Sequence, residues 1–295
     1  LKLSVLQLST RMVMVKMCLY TASFAGFAKF TLGHDTGDVQ PGIMPRSFPR
    51  RGPNFKPNWT NRLLVWPARK FAFCYIEKVA GMQFNKVFNH ANNKIGTWWH
   101  STVDQFPEID PASISRQNGW RLAIFIRDPF ERLLSAWSSK CVNWEGDGRD
   151  CLGKRMTNTT KEARVQAFED MVLNELPKYA AFSQARAGFN AHYDPHAIFC
   201  GARGLAAYDF VGQLSRNYTH VRKQVQRMFR NVAQVPHASS LFRYLQVAFP
   251  LSHVSGHTSV DGKDPMKFSA NAMVYDTVLQ VYRADYQTFD FTPDP

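Results

Sequence analysis

Short apolar runs are followed by amphipathic stretches at three places along this chain. The segments Phe71–Ile76, Leu122–Ile126 and Tyr208–Leu214 are short and rich in apolar residues, which is typical of buried strands. Each is followed by a tight turn and then by apolar residues at helical spacing. Repeated strand–turn–helix units predict an α/β fold with a central parallel sheet flanked by helices. Ligands of such sheets bind at the carboxyl ends of the strands.

The second unit carries the clearest helix signals. Asp128 suits a helix N-cap, Pro129 suits the first helical position, and Glu131 completes a capping-box pattern. The apolar face that follows is formed by Phe130, Leu133, Leu134 and Trp137. Arg127, at the junction, has a planar guanidinium suited to phosphate, and a helix N-terminus favours an anion. A purely structural ion pair between Arg127 and Asp128 is the alternative interpretation.

The first unit has a turn with a similar character. Lys78 supplies a positive charge and Gly81 permits close backbone approach, as in loops that bind nucleotide phosphates. A helix is predicted from Gln83. The turn does not match the Walker pattern GxxxxGK[ST], which disfavours an ordinary NTPase or kinase. Parallel strands would bring Lys78 and Arg127 to one sheet edge, where both could contact a single polyphosphate-like anion.

Three further helices are predicted. The first spans Lys161–Leu176 and ends before Pro177, and the last spans Ser269–Phe289. The remaining one follows Tyr208–Leu214 and has a basic outer face. Its inward positions are Tyr218, Val221, Val225, Met228 and Phe229.

The N-terminal part of the chain differs in composition from the rest. Residues 1–30 resemble a signal sequence or a signal-anchor remnant, with an ordinary helix as the alternative. Residues 31–67 are rich in Pro, Gly, Asn and Arg and are predicted to be a stem or linker. The globular domain is predicted to span residues 68–295.

Charge and cysteine content narrow the function classes. Lys plus Arg number 36 against 23 for Asp plus Glu, giving a net charge of +13, which indicates acidic partners. No basic low-complexity run is present, which disfavours a nucleic-acid tail. The five cysteines lack metal-site spacing, although Cys141 and Cys151 could form a disulfide in an oxidising compartment. The Asn-x-Thr triplets at Asn58, Asn158 and Asn217 fit a secretory-pathway protein.

One segment carries a specific family resemblance. Phe125–Ala136 resembles, almost letter for letter, the RDPFERLxSA segment of the Golgi carbohydrate sulfotransferases that include the chondroitin 4-O-sulfotransferases and the HNK-1 sulfotransferase. Tyr208–Gly212, His192–His196 with Cys200, and Val281–Tyr286 are similar to further family segments, so the resemblance covers roughly residues 70–291. From their spacing alone, His192 and His196 are interpreted as loop or core residues.

The resemblance implies a P-loop NTPase-like sulfotransferase fold and the sulfate donor 3′-phosphoadenylyl sulfate (PAPS). It implies a glycan acceptor and a location in the Golgi lumen with an N-terminal membrane anchor. The positive net charge indicates that the acceptor is anionic. No nucleic-acid partner and no metal are expected.

The resemblance also implies site residues. Arg127 and Ser135 would hold the 3′-phosphate of PAPS, and Asp128 and Arg132 belong to the same segment. The 5′-phosphosulfate would lie in the turn formed by Glu77, Lys78, Val79, Ala80, Gly81, Met82, Gln83 and Phe84. The turn departs from the family pattern, because Glu77 replaces a Pro and Met82 replaces a Thr or Ser. The lost hydroxyl removes a hydrogen bond of about 1.5–3 kcal/mol if charge-assisted.

The reaction needs a cation at the leaving phosphate and a base for the acceptor hydroxyl. Lys78 is the predicted cation. His100 is the predicted base, because it lies beside Trp98 and Trp99, whose rings could stack on sugars. Three other residues remain candidates for the base: Asp104, Glu77 and His253. The alternative function is that of a catalytically weak or inactive relative that binds polyanions or glycans.

Overall fold

The computed structural model describes residues 62–96, 99–142, 150–185, 190–201, 204–251 and 265–291. The predicted signal or anchor segment, most of the predicted linker, Trp98 and His253 lie outside these ranges. Within the described ranges, none of the helices combines the length and the apolar character needed to cross a bilayer.

A four-stranded, mostly parallel sheet forms the centre of the fold. Its strands, in both chain order and spatial order, are β1 (Leu63–Trp66), β2 (Phe71–Cys74), β3 (Arg121–Ile126) and β4 (Phe210–Gln213). β1 is antiparallel to β2, whereas β2, β3 and β4 run parallel. The predicted α/β fold with a central parallel sheet is confirmed.

β1 corrects one prediction. Its four residues fall within the predicted linker, but they pair with β2, from Leu63 opposite Cys74 to Trp66 opposite Phe71. Such a short run shows no periodicity, so only the pairing with β2 identifies it as a strand. The sheet therefore begins before residue 68, the predicted domain boundary.

Eight α-helices surround the sheet in the described part of the chain. They are α1 (Gly81–Ala91), α2 (Pro129–Cys141), α3 (Lys161–Asp170), α4 (Leu176–Ala185), α5 (Tyr218–Asn231), α6 (Ser240–Ala248), α7 (Ala272–Val281) and α8 (Arg283–Phe289). Of these, α6 was not predicted from the sequence.

Two helix boundaries differ from the prediction. The helix predicted to end before Pro177 continues, because a π-helical turn at Met171–Glu175 joins α3 to α4. In this turn the hydrogen-bond pattern shifts, so the helix tolerates the absence of a backbone N–H at Pro177. The predicted helix Ser269–Phe289 is divided into α7 and α8 at Tyr282, whose φ of −101° and ψ of 23° depart from helical values. On α5, Tyr218 is 36 % exposed, contrary to its predicted inward position.

Strand alternation directs the aromatic core to one face of the sheet. Phe73 and Phe125 both pack on Phe84 of α1, with ring centroids 4.1 and 5.1 Å apart. Cys74, the next residue along β2, points to the other face and forms a disulfide with Cys200. Along the chain, α1 follows β2 and α2 follows β3, so both helices begin near the carboxyl ends of two neighbouring parallel strands.

A second disulfide joins Cys141 to Cys151, the pairing considered from the sequence. The Cys74–Cys200 disulfide spans a separation of 126 residues, so sequence spacing gave no indication of it. Disulfides of this kind persist in oxidising compartments.

Candidate functional site

The turn between β2 and α1 has a constrained backbone. Lys78 and Ala80 have φ angles of 68° and 53°, in the left-handed region that most residues avoid. A Cβ at Gly81 would lie 2.3 Å from the ring of Tyr75, so only glycine fits there. α1 begins after this turn without a side-chain N-cap, and its first N–H groups have no intrahelical partner. This helix end is suited to bind an anion.

The remaining residues of the turn divide between core and surface. Val79 and Phe84 are buried, with 2 % and 0 % exposure, and Phe84 packs on Phe73. Met82 and Gln83 are half-buried on the first turn of α1. The side chains of Met82 and Gln83 are therefore accessible to a ligand, whereas those of Val79 and Phe84 pack in the core beneath the turn.

The turn between β3 and α2 is capped as predicted, with one difference. The Asp128 carboxylate accepts a hydrogen bond from the Glu131 N–H at 2.9 Å, and burial raises the pKa of Asp128. The Glu131 carboxylate pairs with Arg127 at 3.4 Å and with Arg216 at 3.0 Å instead of completing a capping box. Since Asp128 occupies this helix end, Arg127 supplies the positive charge at the junction.

The two turns meet at one edge of the sheet. Arg127 Nη1 donates to the backbone carbonyl of Lys78 at 3.4 Å. The Lys78 ammonium donates to Ser139 Oγ on α2, one helical turn after the half-buried Ser135. Burial, assisted by the positive charge of Lys140, lowers the pKa of Lys78 to about 8. The structure thus brings Lys78, Arg127 and Ser135 to neighbouring elements.

Arg132 differs from the other residues of its segment. Its side chain is buried, at 1 % exposure, and its guanidinium donates to three backbone carbonyls. Nε bonds to Glu77 at 2.9 Å, Nη1 to Asp194 at 2.7 Å and Nη2 to Ala191 at 2.8 Å. Arg132 therefore joins the Lys78 turn to the segment 190–194. The donor-binding role that the resemblance implied for Arg132 has no support in these contacts, and we do not propose it.

Glu77 lies in a network of polar contacts beside Lys78. Its carboxylate accepts hydrogen bonds from Arg62 at 2.6 Å and from the Tyr75 hydroxyl at 3.1 Å. On its other side, His192 Nδ1 lies 4.0 Å from Glu77 Oε2. Burial lowers the pKa of His192 well below its usual value, with Lys78 as the next cause.

Sequence reasoning missed this network, although the segment around His192 carries part of the family resemblance. That resemblance was the signal that could have assigned His192 to the site. The network continues from His192 Nε2 to Asp150 Oδ2 at 3.9 Å, and Asp150 pairs with Lys140 at 3.2 Å. The residues of the network that were not assigned to the site are Arg62, Tyr75, Lys140, Asp150 and His192.

The predicted base candidates lie in different places. Glu77 is next to Lys78, as described above. His100 is exposed and lies against Gly96, and Asp104 is exposed with a hydrogen bond from Gln105 at 3.1 Å. Within the described residues, no contact links either His100 or Asp104 to Lys78 or Arg127. The position of His253 lies outside the described residues.

Comparisons with known proteins give a family and one relative. A family model described as "Sulfotransferase family" matches residues 61–292. Human carbohydrate sulfotransferase 9 is 24 % identical over 172 residues, which cover 52 % of this chain and 38 % of that protein. The chain thus spans well under two thirds of this relative's length. No solved structure gives a match.

Proposed function

Because the chain belongs to the sulfotransferase family, we propose that it transfers a sulfuryl group from PAPS to a hydroxyl of a glycan. The observation that carries the proposal is the hydrogen bond from Arg127 to the Lys78 carbonyl, since it joins the two predicted donor-binding turns. PAPS has a phosphosulfate at one end and a 3′-phosphate at the other, so it needs cationic groups at both ends. Lys78 and the uncapped end of α1 fit the first, and Arg127 with Ser135 fits the second.

Sulfuryl transfer is an in-line displacement in which the acceptor oxygen bonds to sulfur while the bond from sulfur to the 5′-phosphate breaks. As in phosphoryl transfer, positioning and charge neutralisation supply most of the rate enhancement. We assign Lys78 to the negative charge that develops on the leaving phosphate. Arg127 and Ser135 fix the other end of the nucleotide. Backbone N–H groups at the start of α1 substitute for the hydroxyl that Met82 lacks.

The glycan acceptor and the location are parts of the same proposal. The name of the human relative supports a carbohydrate acceptor, and the net charge of +13 supports an anionic one. The Cys74–Cys200 and Cys141–Cys151 disulfides support the lumen of the secretory pathway, with the Golgi as the expected compartment. We further propose an N-terminal membrane anchor.

Radiolabelled PAPS and a panel of neutral and anionic glycans test the proposal. We expect transfer to at least one acceptor, loss of transfer in Lys78→Ala, and weaker binding of the product 3′-phosphoadenosine 5′-phosphate (PAP) in Arg127→Ala. A charged hydrogen bond of about 1.5–3 kcal/mol corresponds to roughly 10- to 150-fold weaker binding. Arg243→Ala, at an exposed position of α6, is the matched control and should behave as wild type.

The outcomes separate the two candidate functions. PAP binding without transfer to any acceptor would indicate the inactive relative that only binds polyanions or glycans, an interpretation motivated by Glu77 and Met82. Absence of both binding and transfer would refute both candidate functions.

A further inference from the structure

A half-buried imidazole faces the turn that carries Lys78. His192 has 15 % of its side chain exposed, with Nδ1 4.0 Å from Glu77 Oε2 and Nε2 3.9 Å from Asp150 Oδ2. Nδ1 is fully buried and has no hydrogen-bond partner. Nearly all buried polar atoms in proteins are paired, so an unpaired ring nitrogen in this position calls for an explanation.

The segment that carries His192 is held rigidly. The carbonyls of Ala191 and Asp194, on either side of it, both accept from the Arg132 guanidinium. The Tyr193 hydroxyl accepts from the Leu152 N–H at 3.2 Å. Because Arg132 also bonds to the Glu77 carbonyl, the backbones of His192 and of the Lys78 turn are fixed relative to each other.

The two carboxylates beside the ring are not equivalent. Glu77 is 15 % exposed and is fixed by Arg62 and Tyr75, whereas Asp150 is 29 % exposed and pairs with Lys140 at 3.2 Å. Glu77 thus marks the closed side of the ring and Asp150 its more open side. With its proton on Nδ1, beside the more buried and fixed carboxylate, the imidazole has its Nε2 lone pair free on the more open side.

We propose that His192 is the general base of the transfer reaction and that Glu77 positions its ring; this inference rests on the proposed function. The acceptor hydroxyl gives its proton to Nε2 as its oxygen bonds to sulfur. The bond from sulfur to the 5′-phosphate breaks, and its electron pair leaves on the phosphate oxygen beside Lys78. Glu77, which departs from the family pattern, thereby acquires a role in this chain.

The charges around the ring suit this role. Lys78 and Glu77 approach from the first turn, Lys140 and Arg132 from α2, Asp150 from the loop after α2, and Arg62 from the segment before β1. Burial and these cations keep the imidazole neutral at neutral pH, so its lone pair is available. The negative charges of a bound donor offset Lys78 and Lys140 and thereby increase the basicity of His192 when it is needed.

The test compares His192→Gln with His220→Gln, a matched control at an exposed position of α5. Transfer from radiolabelled PAPS is measured with an acceptor that the wild type uses. In His192→Gln we expect kcat to fall by about 100-fold or more, with PAP affinity within about twofold of wild type. The wild-type kcat/KM should decline toward acid pH as His192 becomes protonated, and His192→Gln should lack this decline. The control should match the wild type in all three measurements.

Glu77→Gln provides a second test if His192→Gln does not fold. Removing the carboxylate disfavours the imidazolium, so kcat should fall and the acid decline should move to lower pH. An active wild type whose rate and pH profile are unchanged by both substitutions would overturn this inference alone. The inference is equally overturned if His192→Gln does not fold and Glu77→Gln keeps the wild-type profile. A wild type that transfers sulfate to no acceptor would overturn the proposed function, and this inference with it.

Discussion

Arg132→Lys is expected to destabilise the fold rather than to weaken donor binding directly. The buried guanidinium satisfies three carbonyls on two separate segments, at Glu77, Ala191 and Asp194. A single ammonium replaces three nitrogens that point in different directions, so we expect it to keep one carbonyl partner and to leave the other two carbonyls unpaired. Each unsatisfied buried acceptor costs about 1–3 kcal/mol, which gives about 2–6 kcal/mol in total. This is a large part of the roughly 5–15 kcal/mol that stabilises a typical domain.

Thermal unfolding measures this loss. In a domain of this size, about 1 kcal/mol corresponds to about 2–4 °C, so Tm should fall by roughly 5–20 °C. Arg243→Lys, at an exposed site, should change Tm by less than about 2 °C. An Arg132→Lys protein that melts with the wild type but binds PAP more weakly would refute the reasoning. That result would restore the donor-binding role that the family resemblance implied for Arg132.

Three further results follow from the structure. Only the protonated Lys78 attracts an anion, and its pKa is about 8, so PAP affinity should fall as pH rises above that value. In Lys78→Arg the PAP affinity should depend less on pH, and an equal pH dependence in the two proteins would contradict the assignment. Gly81→Ala should lower Tm and PAP affinity together, because the new methyl would lie 2.3 Å from the Tyr75 ring; an unaltered melting curve would show that the turn adapts freely. Replacing Cys74 and Cys200 by Ala should lower the free energy of unfolding by about 5 kcal/mol through loop-closure entropy, whereas replacing Cys141 and Cys151, which are separated by 10 residues, should lower it by about 3 kcal/mol. Chemical denaturation of both double variants measures the two losses, and a larger loss for the second pair would contradict the reasoning.

The parts of the fold that could be predicted are those specified by neighbouring residues. Asp128 and Pro129 mark the start of α2 because capping depends on residues within one helical turn. Leu63–Trp66 gave no comparable signal, since this strand is defined by its pairing with β2. Pro177 misled the prediction because a π-helical turn, which depends on tertiary packing, carries the helix past it.

The candidate site divides in the same way. Lys78 and Arg127 could be brought together from the sequence, because parallel strands place their carboxyl ends at one edge. The role of Arg132 could not, since its three acceptors lie 55 to 62 positions away along the chain. His192 was interpreted as a packing residue for the same reason: neither Glu77 nor Asp150 is near it in sequence.

Glu77 shows why a departure from a family pattern has to be judged in three dimensions. In the sequence, an acidic residue beside Lys78 looks unfavourable for a site that binds a polyanion. In the structure, Arg62 and Tyr75 hold the carboxylate on the side of the turn that faces His192, and Arg62 offsets its charge. The Lys78 ammonium is directed to Ser139 on α2 instead. The acidic residue and the lysine thus serve opposite sides of one turn, so the substitution does not remove the positive charge that a donor requires.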